Sequence, residues 1–198
     1  MIRAKKSLGQ NFLIDRNILE KIVSITEIKD KTILEVGPGT GNLTSFILKN
    51  NPKKMYAVEK DKDLSANLIE NYKNQLTLIN GDILNIDENL ISSEKLIVFG
   101  NLPYNISTEI LSRWILNLKD NFWFEHLILM FQKEVANRII ADFNTSTYGR
   151  LSILANWKLD IEKICDIKPE AFSPKPKIDS SLLFFTPKKN ILKLIIQK

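Results

Sequence analysis

The sequence is poor in the residues that build disulfides and metal centres. Its 198 residues include one cysteine and one histidine, which excludes an intramolecular disulfide and a metal cluster of nitrogen and sulfur ligands. A lone cysteine also suits a reducing compartment. No apolar run approaches the ~20 residues that cross a bilayer, and polar Gly9–Asn11 occupies the place of a signal peptide's apolar stretch. We therefore expect a cytoplasmic protein with no membrane segment and no metal.

Positive charge is unevenly distributed along the chain. Residues 1–132 carry 16 basic and 16 acidic side chains, whereas residues 133–198 carry 12 basic and 7 acidic, which accounts for the net charge of +5. Such asymmetry indicates a polyanionic partner, although a solvated lysine-rich surface would give the same composition. The side chains that we predict to contact phosphates are Arg3, Lys5 and Lys6 at the start of the chain, and Lys175 and Lys177 on either side of Pro176.

Apolar residues alternate between strand-like runs and helical stripes. The runs predict strands at 32–36, 54–58, 76–79, 96–99 and 127–131, and the stripes predict helices around 17–24, 43–47, 62–72, 107–118 and 135–140. Asn17 and Glu20 resemble a capping box for the first helix. This alternation is typical of an α/β fold with a mostly parallel sheet and helices on both faces. Four of the seven prolines follow residue 168 and predict a final pair of strands joined by a stiff loop.

A glycine-rich turn follows the strand at 32–36. Open α/β sheets bind nucleotides where a strand turns into a helix, and glycines there let a ligand approach the backbone. The spacing of Gly37, Gly39 and Gly41 is G-x-G-x-G. It does not satisfy the dinucleotide fingerprint G-x-G-x-x-G, because Asn42 occupies the last glycine position. The turn therefore favours S-adenosylmethionine, which has no phosphate, over a pyrophosphate cofactor.

Two acidic residues end the next two strands. Glu59 lies 22 residues after Gly37, where a carboxylate can accept both ribose hydroxyls of a nucleoside. Asp82 follows the third strand, where a carboxylate can accept a hydrogen bond from an adenine amino group. Two unrelated surface acids beside a tight turn are the alternative. Three features in register make a cofactor site the better interpretation.

The segment Gly100–Asn105 follows the fourth strand, at the same sheet edge. An adenine amine is a poor nucleophile because its lone pair is delocalised into the ring. Asn101 can offer a side-chain oxygen to that amine, and Leu102 a carbonyl whose direction is restricted by Pro103. Tyr104 supplies a face on which a base can stack. The segment therefore predicts methyl transfer to an adenine amine, a displacement that is dominated by positioning.

Residues 101–108, Asn-Leu-Pro-Tyr-Asn-Ile-Ser-Thr, resemble the substrate motif of the ribosomal small-subunit adenine dimethyltransferases. The resemblance spans residues 5 to about 187. Four further segments share it: Lys6–Asp15, Gln132–Val135, Tyr148–Ser152 and Phe172–Ser180. It implies a class I S-adenosylmethionine-dependent methyltransferase fold, which is Rossmann-like, with a mixed seven-stranded sheet. It also implies that two adjacent adenines near the 3′ end of small-subunit rRNA become N6,N6-dimethyladenosine, in an immature subunit during ribosome biogenesis.

The same resemblance implies further site residues. Asn11 and Leu13 would contact the cofactor beside Gly37, Glu59, Asp82 and Asn101. Phe172 would close the adenine pocket opposite Tyr104, so that a flipped base is held between two rings. Residues 1–187 would form the catalytic domain with its basic N-terminal segment, and the apolar tail 188–198 would begin a helical C-terminal domain. We expect a monomer, since no segment offers an obvious self-complementary face.

Two alternatives remain open at this point. The first is the related family that methylates a large-subunit (23S) adenine and confers macrolide resistance, although Leu102, Asn105 and Tyr148–Ser152 are more similar to the small-subunit group. The second is a ribosome-assembly factor that binds RNA without catalysis. The presence of Glu59 and Asp82 beside the substrate motif argues against the second.

Overall fold

A seven-stranded mixed sheet forms the centre of the protein. The structure, a computed structural model, describes residues 4–5, 9–118 and 122–189. Its strands are β1 (Phe12–Leu13), β2 (Thr32–Val36), β3 (Lys54–Glu59), β4 (Thr77–Asn80), β5 (Leu96–Asn101), β6 (Phe124–Gln132), β7 (Leu159–Ile167), β8 (Phe172–Ser173) and β9 (Ser180–Pro187). Strands β4, β3, β2, β5 and β6 are parallel neighbours in that order, and β9 and β7 follow as antiparallel neighbours.

Six α-helices accompany these strands in the described residues. They are α1 (Arg16–Val23), α2 (Asn42–Lys49), α3 (Lys62–Tyr72), α4 (Ser107–Asn117), α5 (Lys133–Ile139) and α6 (Arg150–Lys158). No helix in the ranges that the structure covers is long and apolar enough to span a membrane.

The core lies on both faces of the sheet. Ile33 and Leu34 are neighbours on β2, and both are fully buried. Leu34 packs in a cluster with Trp114 of α4, and Ile33 packs in another with Ile47 of α2. Because successive side chains of a strand point to opposite faces, α1–α3 cover one face and α4–α6 cover the other. The predicted doubly covered, mixed seven-stranded sheet is confirmed.

The strand and helix predictions agree with the structure to within a few residues at most ends, and three local features differ. The first helix is capped by Asp15, whose carboxylate accepts hydrogen bonds from the backbone N–H groups of Asn17 and Ile18. The predicted capping box of Asn17 and Glu20 is therefore wrong. Helix α6 and the two-stranded pair of β1 with β8 were not predicted. Residues 190–198 of the predicted tail lie outside the described residues.

Candidate functional site

A cavity of about 230 Å³ opens at the carboxyl ends of the parallel strands. Ligands of open α/β sheets bind at this edge because the strand-to-helix turns converge there. The wall is formed by five segments that are distant in sequence: residues 9–12, the glycine turn, the end of β3, residues 81–84, and residues 101–106. The cofactor motifs and the substrate motif found in the sequence therefore meet in one cavity.

The backbone of the glycine turn adopts positive φ values, which glycine allows. Gly37 and Gly39 both line the cavity and have φ values of +70° and +59°, a region that L side chains rarely adopt. A Cβ atom on Gly39 would lie 2.7 Å from the ring of Phe12, which also lines the cavity. A side chain at position 39 would therefore have no room, and glycine leaves the backbone of the turn accessible from the cavity.

Glu59 joins the end of β3 to the glycine turn. Its Oε2 accepts a hydrogen bond of 3.1 Å from the backbone N–H of Gly39, and its Oε1 accepts one of 2.8 Å from that of Asp61. The residue is 6% exposed, and this burial raises the pKa of its carboxyl group above the ordinary value. Glu59 thus lines the cavity at the place predicted for a ribose contact.

Asp82 follows β4 and caps a short turn at residues 83–85. Its Oδ1 accepts a hydrogen bond of 3.0 Å from the N–H of Leu84, and its Oδ2 accepts one of 2.7 Å from the ammonium group of Lys60. The hydrogen bond from Lys60 lowers the pKa of Asp82 below its ordinary value. Asp82 and Lys60 both line the cavity. The sequence reasoning identified Asp82 and missed Lys60, although Lys60 directly follows Glu59.

Asn101 ends β5 with its amide group held in one orientation. Its Nδ2 donates a 2.8 Å hydrogen bond to the backbone carbonyl of Asn11, which assigns Oδ1 as the free acceptor of the amide. No described residue donates a hydrogen bond to that Oδ1. Leu102 follows, and Pro103 begins a tight turn that is closed by a 3.1 Å hydrogen bond from the N–H of Ile106 to the carbonyl of Pro103. An acceptor oxygen is therefore available on a residue that lines the cavity.

Tyr104 lines the cavity and is fixed by its hydroxyl group. The hydroxyl lies 2.6 Å from the Oγ of Ser180, the fully buried first residue of β9. Partial burial raises the pKa of Tyr104 above the ordinary value. The ring is thus tied to a strand that lies two places from β5 in the sheet. Nothing in the local sequence indicates this contact, which joins residues 76 positions apart.

Two predicted site residues lie in the core beside the cavity. Leu13 and Phe172 pair across β1 and β8, are 4% and 3% exposed, and are absent from the cavity wall. Their neighbours Asn11 and Phe12 do line it. The contact of Leu13 with the cofactor and the stacking of Phe172 on a base stay predictions.

Two of the predicted RNA-contacting lysines have acidic partners. The ammonium group of Lys5 lies 2.8 Å from carboxylate oxygens of both Asp61 and Asp63. Lys175 pairs with Glu170, and Lys177 is exposed. Arg3 and Lys6 lie outside the described residues. Contact of these five side chains with RNA stays a prediction.

A buried carboxyl group behind the glycine turn was also missed. Glu35 on β2 is 2% exposed, and its Oε2 accepts a 2.6 Å hydrogen bond from the hydroxyl of Thr44 on α2. Burial raises its pKa to about 8. The strand run around Glu35 gives no sign of this environment, because burial on both faces depends on the helices that cover the sheet.

The residues of the cavity fit S-adenosylmethionine. The glycine turn leaves room at the backbone, and the carboxylates of Glu59 and Asp82 can accept hydrogen bonds from ribose hydroxyls and an adenine amine. No pyrophosphate has to be held, which agrees with the spacing of the glycines. In the described part of the chain, no three side chains of histidine, cysteine, aspartate or glutamate are grouped as metal ligands would be.

Solved structures with this fold include RNA methyltransferases. A dimethyladenosine transferase from Plasmodium falciparum is 30% identical with a TM-score of 0.78, over 90% of this chain and 64% of that one. The 23S rRNA methyltransferase ErmE has the same TM-score at 24% identity, over 92% of this chain and 72% of that one, a likeness that shows the fold alone. The chain thus spans less than two thirds of the Plasmodium protein. Class I methyltransferases share this Rossmann-like arrangement.

The sequence comparisons agree among themselves. A family model described as ribosomal RNA adenine dimethylase matches residues 1–195. A protein named ribosomal RNA small subunit methyltransferase A, from Pelagibacter ubique (strain HTCC1062), is 67% identical over 193 residues, which cover 98% of this chain and 74% of that protein. The chain belongs to the ribosomal RNA adenine dimethylase family.

Proposed function

We propose that this protein transfers methyl groups from S-adenosylmethionine to the N6 amines of two adjacent adenosines near the 3′ end of small-subunit (16S) rRNA. The product is N6,N6-dimethyladenosine. The observation that carries the proposal is the meeting of the glycine turn, Glu59, Asp82 and Asn101 in one cavity. The family match and the 67% identical small-subunit methyltransferase support the same reaction.

Bound S-adenosylmethionine supplies an electrophilic methyl group on a sulfonium. The chain's own residues hold and orient the reactants. Glu59 and Asp82 bind the nucleoside part of the cofactor, and the glycine turn gives it access to the backbone. This places the cofactor against β2 and β3, and it leaves the β5 side of the cavity for the adenine.

Asn101 and Leu102 orient the adenine amine. The Oδ1 of Asn101 accepts one N–H hydrogen bond, and its orientation is fixed because Nδ2 is held by the carbonyl of Asn11. The carbonyl of Leu102 accepts the other. Two acceptors around the amine favour the geometry in which its lone pair is free to attack. Tyr104 provides the stacking face, and Ser180 holds that ring in place.

The reaction needs no strong general base. The methylated amine is cationic and acidic when it forms, so it loses its proton readily to water or to a hydrogen-bond acceptor. Positioning therefore accounts for most of the expected rate enhancement. The cost of losing Asn101 should appear in the rate of transfer and much less in cofactor affinity.

The test is methyl transfer from labelled S-adenosylmethionine to small ribosomal subunits that lack this modification. Mass spectrometry of the digested RNA should find dimethyladenosine at two adjacent positions near the 3′ end. Asn101→Ala should abolish transfer and still bind the cofactor. Asn71→Ala, at an exposed asparagine on α3, is the matched control and should transfer normally. Cofactor binding by the unaltered chain without any transfer would contradict the proposed reaction.

The same assay distinguishes the proposed reaction from the two alternative functions, large-subunit methylation and RNA binding without catalysis. Large-subunit RNA offered in parallel should stay unmodified, whereas methylation of it would favour the macrolide-resistance type of enzyme. A pure assembly factor would bind subunits and leave the RNA unlabelled.

We further propose that the protein acts as a monomer in the cytoplasm on an immature small subunit. Light scattering tests the monomeric state, a comparison of naked RNA with subunits at successive assembly stages tests the substrate, and cell fractionation tests the location.

A further inference from the structure

Lys60 occupies a position in the cavity that the proposed reaction does not use. It directly follows Glu59 at the end of β3 and lines the same wall. Its ammonium group lies 2.7 Å from the Oδ2 of Asp82, in an ion pair that connects the end of β3 with the loop after β4. The residue that directly follows Glu59 is thus paired with the second carboxylate that would hold the nucleoside.

Asp82 is immobilised by its contacts. Besides the bond from Lys60, its Oδ1 accepts a hydrogen bond from the N–H of Leu84. The loop itself is held from α4, because the guanidinium group of Arg113 donates hydrogen bonds to the carbonyls of Ile83 and Ile86. One oxygen of Asp82 is therefore fixed by the backbone and the other by Lys60. Each oxygen keeps a further lone pair, since an ionised carboxylate has about four acceptor positions.

These contacts determine what Asp82 can bind. A carboxylate that stays ionised is an acceptor only, and it suits an amino group as its partner. Loss of the ammonium group would leave Oδ2 without this partner, and the orientation of the carboxylate would then depend on the single hydrogen bond from Leu84 to Oδ1. The side chain of Lys60 is 57% exposed, so solvent screening limits the effect of the pair.

We propose that Lys60 is a positioning residue for the adenine end of the cofactor, and that it acts by holding Asp82 in the orientation that accepts the amino group at position 6. This inference rests on the proposed function, because it requires an adenosine-containing cofactor in the cavity. The predicted effect is confined to the amino group and does not extend to the ribose or to the amino acid part of the ligand.

The test is a thermodynamic cycle between protein and ligand. Isothermal titration calorimetry measures the Kd of S-adenosylhomocysteine, and of its analogue with hydrogen in place of the 6-amino group, for the wild type and Lys60→Met. The methionine keeps most of the length of the side chain and removes its charge. For S-adenosylhomocysteine, Lys60→Met should raise Kd about three- to tenfold, in the range expected when an exposed pair supports one hydrogen bond. For the des-amino analogue, the two proteins should have the same Kd within twofold.

Two control variants separate positioning from charge. Lys62→Met removes a positive charge two residues further on, at an exposed position that does not line the cavity, and should leave both Kd values unchanged. Lys60→Arg keeps the charge and should recover most of the affinity for S-adenosylhomocysteine. Denaturant unfolding of each variant checks that all of them are folded at the temperature of the titrations.

The outcomes are distinct. Equal losses of affinity for both ligands would overturn the inference, because the lysine would then act on the ligand as a whole. Unchanged or tighter binding of S-adenosylhomocysteine by Lys60→Met would overturn it as well, since tighter binding means that the lysine competes with adenine for Asp82. Failure of the wild type to bind S-adenosylhomocysteine at all would instead contradict the proposed function.

Discussion

The buried carboxyl group of Glu35 should make the stability of the protein depend on pH. In the folded protein its pKa is about 8, against an ordinary value of 4.5, because burial disfavours the charged form. Between these two values the folded state holds a proton that the unfolded state has released. The free energy of unfolding therefore falls as pH rises from about 4.5 to about 8, and the contribution of Glu35 is constant outside that window.

The size of the effect follows from the two pKa values. Each pH unit within the window reduces the free energy of unfolding by about 1.4 kcal/mol, so the full loss is of the order of 5 kcal/mol. The substitution Glu35→Gln removes the titrating group and keeps an acceptor oxygen for Thr44. The variant should match the wild type at pH 5 to within about 1 kcal/mol, and at pH 8.5 it should be more stable by about 3–5 kcal/mol.

Denaturant unfolding followed by tryptophan fluorescence, at pH 5 and pH 8.5 and at constant ionic strength, measures the difference. The quantity of interest is the change with pH in the difference between wild type and Glu35→Gln, because titrating groups that do not interact with Glu35 cancel in it. Glu70→Gln, at an exposed glutamate of α3, is the control and should track the wild type. If the free energies of wild type and Glu35→Gln stay parallel between pH 5 and pH 8.5, the reasoning from burial is refuted.

Three further predictions concern single contacts. Gly39→Ala should destabilise the protein by about 1–3 kcal/mol, since φ is +59° and the new Cβ would lie 2.7 Å from the ring of Phe12. Denaturant unfolding measures the effect, with Gly149→Ala as the control because that glycine has open space around it. Equal destabilisation by the two substitutions would contradict the prediction. Tyr104→Phe and Ser180→Ala remove the same 2.6 Å hydrogen bond, so each should slow methyl transfer. The double variant should be no slower than the slower of the two single variants. Additive losses in the transfer assay would show that the two side chains act independently. Lys158→Met should lower the free energy of unfolding by about 1–3 kcal/mol, because Lys158 is buried and its ammonium group donates to the carbonyls of Ile115 and Leu118 at the end of α4. An unchanged unfolding midpoint would contradict this.

The regular elements of the fold could be predicted from the sequence because their signals are local. Apolar runs and helical stripes placed β2–β6 and most helices. Helix α6 was missed because apolar residues occur around it without forming a single stripe. The capping of α1 was assigned to Asn17, although Asp15 is equally suited by residue type and lies two positions earlier. Strand order could not be predicted from apolar patterns, because it depends on which strands pair across the sheet.

In the candidate site, too, some residues could be predicted from the sequence and others could not. Glu59 and Asn101 were found because they end strands, and Gly37 and Asp82 because they closely follow strand ends. Parallel strands bring these ends to one edge of the sheet. The side chains that orient them were not found. Lys60 holds Asp82, and Ser180 holds the ring of Tyr104 from a strand far along the chain. Their roles depend on tertiary contacts, which a sequence pattern does not contain.

The pairing of β1 with β8 determines when the cavity can be completed during synthesis. Phe12 and Leu13 find their strand partners at Ser173 and Phe172, some 160 residues later. A chain that has emerged only as far as β6 already contains the glycine turn, Glu59, Asp82 and Asn101. In such a chain Asn42 and Asn101 can already donate hydrogen bonds to the carbonyls of Leu13 and Asn11. The segment that brings Asn11 and Phe12 to the cavity wall still lacks its strand partner β8. A contact of such long sequence separation forms late, because loop closure must precede it. The residues of β1 are thus synthesised well before the strand with which they pair.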